Sequence, residues 1–286
     1  MYRYAEYLHF PEIATAAFLD RLRHRRPATR LTYGDDRHQE AYFLRPDPNQ
    51  PRRPLIVFVH GGGWRRGHPK YFRFVGRFLA RHGYPVLLLG YRLGPSAQFD
   101  DQLWDLREGL RRFLDSSWAA RCRPRSVIVV GQSAGGHLGA HLAYSSLPSG
   151  TSLPAPEVIG FVSISGVLSF ERAGWRYLEG LITNTAAEPA LRLRADARAA
   201  IETARHPIPA LLIHGEEDRI VPPEVTTAFA RSYEERFGRT PALLYYPWAK
   251  HNELALLFLE WRPRATQLLM QWRQVATEQR KRDDAA

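Results

Sequence analysis

The sequence holds one cysteine, Cys122, in 286 residues. That excludes an internal disulfide and any cysteine-built metal cluster. No stretch approaches the roughly 18 uncharged apolar residues that a membrane-spanning helix needs. The N-terminal segment MYRYAEYLHFPEIATAAFLDRL has no basic leader ahead of an apolar core, and Glu6, Glu12 and Asp20 interrupt it. It does not read as a signal peptide. There is no internal repeat and no low-complexity tract. No glycine-rich turn runs into Gly-Lys-Ser/Thr, so a phosphate-binding P-loop is excluded. These absences predict a soluble, cytoplasmic protein without membrane contact.

Acidic residues are also in deficit, at 29 Asp+Glu against 40 Lys+Arg, a formal charge of +11. Such an excess raises the question of nucleic-acid binding. The arginines are scattered, however, with dense runs only at 21–30 and 280–282, and no zinc, helix-turn-helix or RNA-binding signature accompanies them. The charge reads as a basic solvated surface, with no nucleic-acid partner expected. Its positive field favours anionic small molecules.

With 44% hydrophobic residues, the chain is long enough for one α/β domain, or a domain with a small insert. Its organising stretch is residues 126–144, SVIVVGQSAGGHLGAHLAY. Residues 127–131 are apolar, mostly β-branched and too few for a helix, which predicts a buried strand. The chain then turns through Gly131-Gln132-Ser133-Ala134-Gly135 into a helix carrying Leu138 and Leu142 on its inner side. G-x-S-x-G between a strand and a helix is the context of a nucleophile elbow, which exposes the serine hydroxyl above a sheet.

Residues 1–26 predict a helical segment ahead of Pro27. Residues 31–33 and 41–44, on either side of Gly34-Asp35-Asp36, predict a hairpin. Strands are expected at 55–59, 85–89, 158–164, 209–213 and 242–246, and helices at 71–81, 99–114 and 226–237. A polar, Arg- and Ala-rich stretch over about 170–205 reads as a short helical cap. Residues 252–279 predict a closing helix pair broken near Pro263. Strands that alternate with helices imply a mostly parallel sheet covered on both faces.

A serine hydroxyl needs a base to remove its proton, and the base needs a third group to orient it. In such a sheet these groups belong on loops at the carboxyl ends of strands. Asp218 follows strand 209–213 in His-Gly-Glu-Glu-Asp-Arg-Ile-Val-Pro, and His251 follows strand 242–246. The order Ser133, Asp218, His251 suits this arrangement. Glu216 and Glu217 are alternative acids. His60 and His214 end buried strands and are expected to make structural hydrogen bonds, while His137 and His141 are expected to point away from the top of the sheet. Cleaving a carbonyl also requires donors for the developing oxyanion. His60-Gly61-Gly62-Gly63-Trp64 offers the backbone N–H groups of Gly62 and Gly63, and Ala134 offers a third.

On these motifs, together with Gly90-Tyr91-Arg92-Leu93-Gly94-Pro95, the chain from about residue 30 to about 275 resembles the α/β-hydrolase superfamily, in its HGGG-bearing esterase/lipase branch. The resemblance implies an eight-stranded, mostly parallel sheet flanked by helices, a Ser133–His251–Asp218 triad and an acyl-enzyme mechanism with no metal or cofactor. The Trp after HGGG, the short cap and the N-terminal helix look like the kynurenine formamidase and small-esterase subgroup. Formamidases of this kind often show HGGYW, where this chain has Gly63 in place of the aromatic. Gln132 stands where His or Glu is common in related enzymes. The expectation is a hydrolase of small esters, with aryl-formamide hydrolysis and non-catalytic ligand binding as alternatives, and with homodimerisation left open. Trp64, Gln132, Phe170, Trp175 and Trp248 are candidate pocket walls, and Arg65 and Arg66 are candidates for attracting a substrate carboxylate.

Overall fold

The computed structural model describes residues 13, 15–19, 28–46, 53–151, 153–170 and 189–258. Most of the expected N-terminal helix, the 171–188 part of the cap (with Trp175) and the closing helix pair beyond residue 258 lie outside the described residues. Within them, eight strands form one sheet in the order β1-β2-β4-β3-β5-β6-β7-β8. These are β1 (Thr29–Thr32), β2 (Glu40–Leu44), β3 (Leu55–Val59), β4 (Val86–Leu89), β5 (Ser126–Gln132), β6 (Glu157–Ile164), β7 (Ala210–Gly215) and β8 (Ala242–Tyr246). The β1–β2 and β2–β4 pairs are antiparallel and the remaining pairs are parallel. This is the mostly parallel, helix-flanked α/β-hydrolase sheet that the motifs implied.

The central strands are apolar at nearly every position because both of their faces are covered. Successive side chains alternate between the two cores. Leu55, Val57 and Val59 of β3 join Val127 and Val129 of β5 on one face. Ile56 and Phe58 join Ile128 and Val130 on the other. The first face is covered by helices α2 (Phe99–Leu114), α4 (Ala134–Ala143), α6 (Ala197–Thr203) and α7 (Glu224–Phe237). The opposite face takes α1 (Arg73–Arg81) and the 3₁₀ turn Ala255–Phe258.

Helix α2 shows why these segments are helical. Leu106, Leu110, Phe113 and Leu114 repeat at helical spacing and are buried. Its first turn is closed by a capping box between Gln98 and Asp101. Three short helices were not foreseen as separate elements. The sequence reading had no helix at α3 (Ser117–Cys122), where Ser116 Oγ accepts from Ala119 N at 3.3 Å. The α5 (Pro189–Ala195) and α6 pair forms the described part of the cap segment. A 3₁₀ turn, Pro69–Phe72, precedes α1, so regular helix starts two residues later than the sequence pattern implied.

Helix α4 packs against β5 and β3 at backbone distance. A Cβ on Gly131 would lie 2.1 Å from Gly135 O, and one on Gly135 would lie 2.2 Å from Val59 O. Any larger residue there forces the helix off the sheet. Gly135→Ala is therefore predicted to lower stability by about 1–3 kcal/mol, as overpacking of a tight contact does. The urea midpoint measures this, and a midpoint equal to wild type would show that the helix has room to retreat.

Candidate active site

Ser133 follows β5 directly and has φ +54 and ψ −123, an unfavourable backbone conformation for a residue with a side chain. Its backbone is held on every side. Ser133 N donates to Ile164 O at 2.9 Å, and its carbonyl accepts from Gly136 N at 2.8 Å and Val167 N at 3.3 Å. The neighbouring strand and the first turn of α4 thus fix the turn, leaving the hydroxyl at the carboxyl edge of the sheet.

Loops after two other strands reach the same point. His251 lies beyond β8 and Asp218 beyond β7. His251 Nε2 is 2.8 Å from Ser133 Oγ, and His251 Nδ1 is 2.7 Å from Asp218 Oδ2. Because a carboxylate only accepts, Nδ1 carries the imidazole proton and Nε2 accepts from the serine hydroxyl. All three residues are at most 7% exposed. Burial pushes the Asp218 carboxyl up, but the adjacent His251 and His214 outweigh it and hold it well below the usual carboxylate range. Glu216 and Glu217, the alternative acids, are exposed.

The His60–Trp64 loop closes over the serine. Gly62, Gly63 and Trp64 have φ of +130, +59 and +58. Glycine adopts such values freely, whereas Trp64 needs support. Its carbonyl accepts from Gly94 N at 2.9 Å and Gln102 Nε2 at 3.2 Å, and its indole N–H donates to His137 Nδ1 at 3.3 Å. Gly61 O lies 2.8 Å from His60 Nδ1, and Gly62 O accepts from Arg66 N at 3.0 Å. In a trans peptide the N–H points opposite to the preceding carbonyl. The N–H groups of Gly62 and Gly63 therefore face away from these tied oxygens.

Ser133, His251, Gly62, Gly63, Ala134, Trp64 and Gln132 all line one cavity of about 70 Å³. Gln132 is buried against Gly61. Sequence reasoning missed the apolar walls: Ile13, Phe72, Val167, Ile220 and Val221. Val167 and the Ile220-Val221 pair sit just past the ends of β6 and β7, a position that could have flagged them. Ile13 and Phe72 carried no such signal. Arg66 also lines the cavity.

Two of the candidate pocket walls pack elsewhere. Trp248 is not among the described residues lining the cavity; its ring meets Tyr246 edge-on at 5.8 Å and packs on the opposite core. Phe170 is core and stacks on His137 at 5.3 Å. The histidines of α4 also have a task. His137 Nε2 and His141 Nε2 donate to Ala195 O at 2.5 and 3.1 Å, so the pair joins α5 to α4 while His137 holds Trp64. Among the described residues no cluster of His, Cys, Asp and Glu is arranged to hold a metal ion, and no helix is long and apolar enough to cross a membrane.

Comparison with known proteins agrees with the fold. The BD-FAE family model matches residues 43–233. The rice protein named probable isoprenylcysteine alpha-carbonyl methylesterase ICME is 24% identical over 242 residues, which is 79% of this chain and 58% of its own length. Esterase LipC of Mycobacterium tuberculosis is 29% identical over 239 residues, 75% of this chain and 56% of its own. The chain thus spans little more than half the length of these relatives. Esterase B from Lactobacillus rhamnosis has a similar fold, with a TM-score of 0.73 at 19% identity over 98% of this chain and 96% of that one. A Thermogutta terrifontis esterase, Est2, gives 0.58 at 25% identity over 78% of this chain and 82% of its own.

Burial pushes His137 down to about 3 and His141 down to about 4. The unfolded chain protonates both below about pH 6.5 while the folded protein does not. Stability is therefore predicted to fall as pH drops from about 6.5 toward about 4, by up to about 1.4 kcal/mol per pH unit for each histidine. His141→Gln keeps an amide donor but cannot titrate, so urea midpoints between pH 7 and 4.5 should decline less steeply, by about one proton's worth. An unchanged slope would show that His141 takes up its proton within the fold.

Proposed function

The chain belongs to the BD-FAE family of α/β-hydrolase esterases, and from that premise we propose that it is a serine hydrolase cleaving carboxylic esters of small acyl groups. The carrying observation is the unbroken proton path of 2.8 and 2.7 Å from Ser133 Oγ through His251 to Asp218, opening on a cavity. His251 takes the Ser133 proton as Oγ attacks the ester carbonyl. The N–H groups of Gly62, Gly63 and Ala134 receive the developing oxyanion, and the start of α4 adds its positive dipole end. His251 then gives the proton to the departing alcohol. Water, deprotonated by the same His251, releases the acid and restores Ser133. Asp218 stays ionised throughout and keeps the Nδ1–H toward itself.

The substrate reading rests on the cavity and on kinship. A space of about 70 Å³ with Phe72, Val167, Ile220 and Val221 among its apolar walls supports a short acyl group as the substrate's acid part. Relatives named as esterases favour an ester over a formamide. The chemistry calls for no cofactor, and we read the chain as one hydrolase domain with residues 170–205 as its cap.

Rates on p-nitrophenyl acetate, p-nitrophenyl octanoate and N-formylkynurenine test this. Wild type should prefer the acetate, and Ser133→Ala should lose at least about 10⁴-fold in kcat. Faster turnover of N-formylkynurenine would move the assignment to a formamidase. Wild type and variant equally inert on all three would remove the hydrolase reading.

A further inference from the structure

Asp218 has more partners than the proton path requires. Its Oδ1 accepts the N–H groups of Ile220 at 3.0 Å and Val221 at 2.8 Å. Its Oδ2 meets His251 Nδ1 at 2.7 Å and also lies 3.2 Å from Nε2 of His214. His214 is fully buried in β7, four residues before Asp218. Its partners set its tautomer. Nε2 is 2.8 Å from Val221 O, an atom that can only accept, so Nε2 carries the ring proton. Nδ1 then accepts from the Thr226 hydroxyl of α7 at 2.7 Å.

We propose that His214 is a positioning residue for Asp218: its Nε2–H, shared between Asp218 Oδ2 and Val221 O, sets the rotation of the carboxylate that orients His251. The inference rests on the serine-hydrolase reading above. Backbone N–H groups resist rotation about the Cβ–Cγ bond at Oδ1 alone and leave Oδ2 to be held by side chains. His214 holds the second oxygen from within β7. Through Val221 O it fixes the loop whose own N–H binds Oδ1, and through Thr226 it ties both to α7. When His214 is lost, the carboxylate swings, His251 follows, and its alignment with Ser133 Oγ loosens. His214 does not line the cavity among the described residues, so the loss falls on kcat rather than KM.

The test uses p-nitrophenyl acetate with His214→Leu, His214→Gln and Asp218→Ala, alone and combined. His214→Leu should lower kcat by about 10- to 100-fold, as small misplacements of catalytic groups do, and leave KM within about threefold. His214→Gln, whose amide reaches a similar point, should restore most of the rate. In the Asp218→Ala background, His214→Leu should cost nothing further, since groups acting as a unit are not additive. An equal fold-loss in both backgrounds, or an unchanged kcat in the single variant, would overturn the proposal. Should His214→Leu not fold, Thr226→Val, which frees only Nδ1, is read in the same cycle: a kcat loss that disappears without Asp218 supports the proposal, and one that persists contradicts it. A wild type that fails to hydrolyse the ester, or an Asp218→Ala variant as fast as wild type, would instead remove the hydrolase reading itself.

Discussion

The structure depends on a close contact between backbones. Helix α4 presses against β5 and β3 at distances that only glycine permits at positions 131 and 135. That contact leaves one residue between strand and helix, and Ser133 takes it at φ +54. A conformation of this kind costs about 1–3 kcal/mol and persists only where its surroundings over-determine it. Here Ile164, Gly136 and Val167 each hold its backbone. The same turn brings Ser133 and Ala134 together to the cavity, so the proposed nucleophile and one proposed oxyanion donor come from a single constraint.

Everything else at the site arrives from elsewhere in sequence but from the same edge of the sheet. β3 delivers the glycine loop, β7 the acid and β8 the histidine. Because these strands are parallel, their carboxyl ends share an edge, which is why loops more than 100 residues apart in sequence meet within hydrogen-bond distance. Each loop is anchored from behind. Trp64 is held by Gly94, Gln102 and His137; Asp218 is held by Ile220, Val221 and His214. The shared reliance on Ala195 O links α5 to α4 and, through His137, to the His60–Trp64 loop.

What the sequence disclosed followed from local physics. Leu55 to Val59 and Val127 to Gly131 are continuous apolar runs because two cores cover them, and that pattern needs no tertiary knowledge. The G-x-S-x-G turn and the strand-end positions of Asp218 and His251 were legible for the same reason. Contacts between distant segments were not. Ile13 reaches the cavity from the N-terminal helix, and no pattern around it announces that role. Trp248 looked like a pocket wall because it lies near His251 in sequence, but its ring packs against Tyr246 and is not among the described residues lining the cavity. His137 and His141 sit on a helix with small neighbours, and their partner, Ala195, is more than 50 residues away. His214 was legible as a structural histidine; its approach to Asp218 depends on how the loop after β7 folds back.

The central claim is that Ser133 is the activated nucleophile, and direct chemical capture tests it. Diethyl p-nitrophenyl phosphate should release one equivalent of p-nitrophenol per chain, and peptide mass spectrometry should find the diethylphosphoryl group on Ser133. Asp218→Ala should slow the labelling while leaving its position unchanged. A label on another residue, or labelling that survives Ser133→Ala at the same rate, would contradict the account.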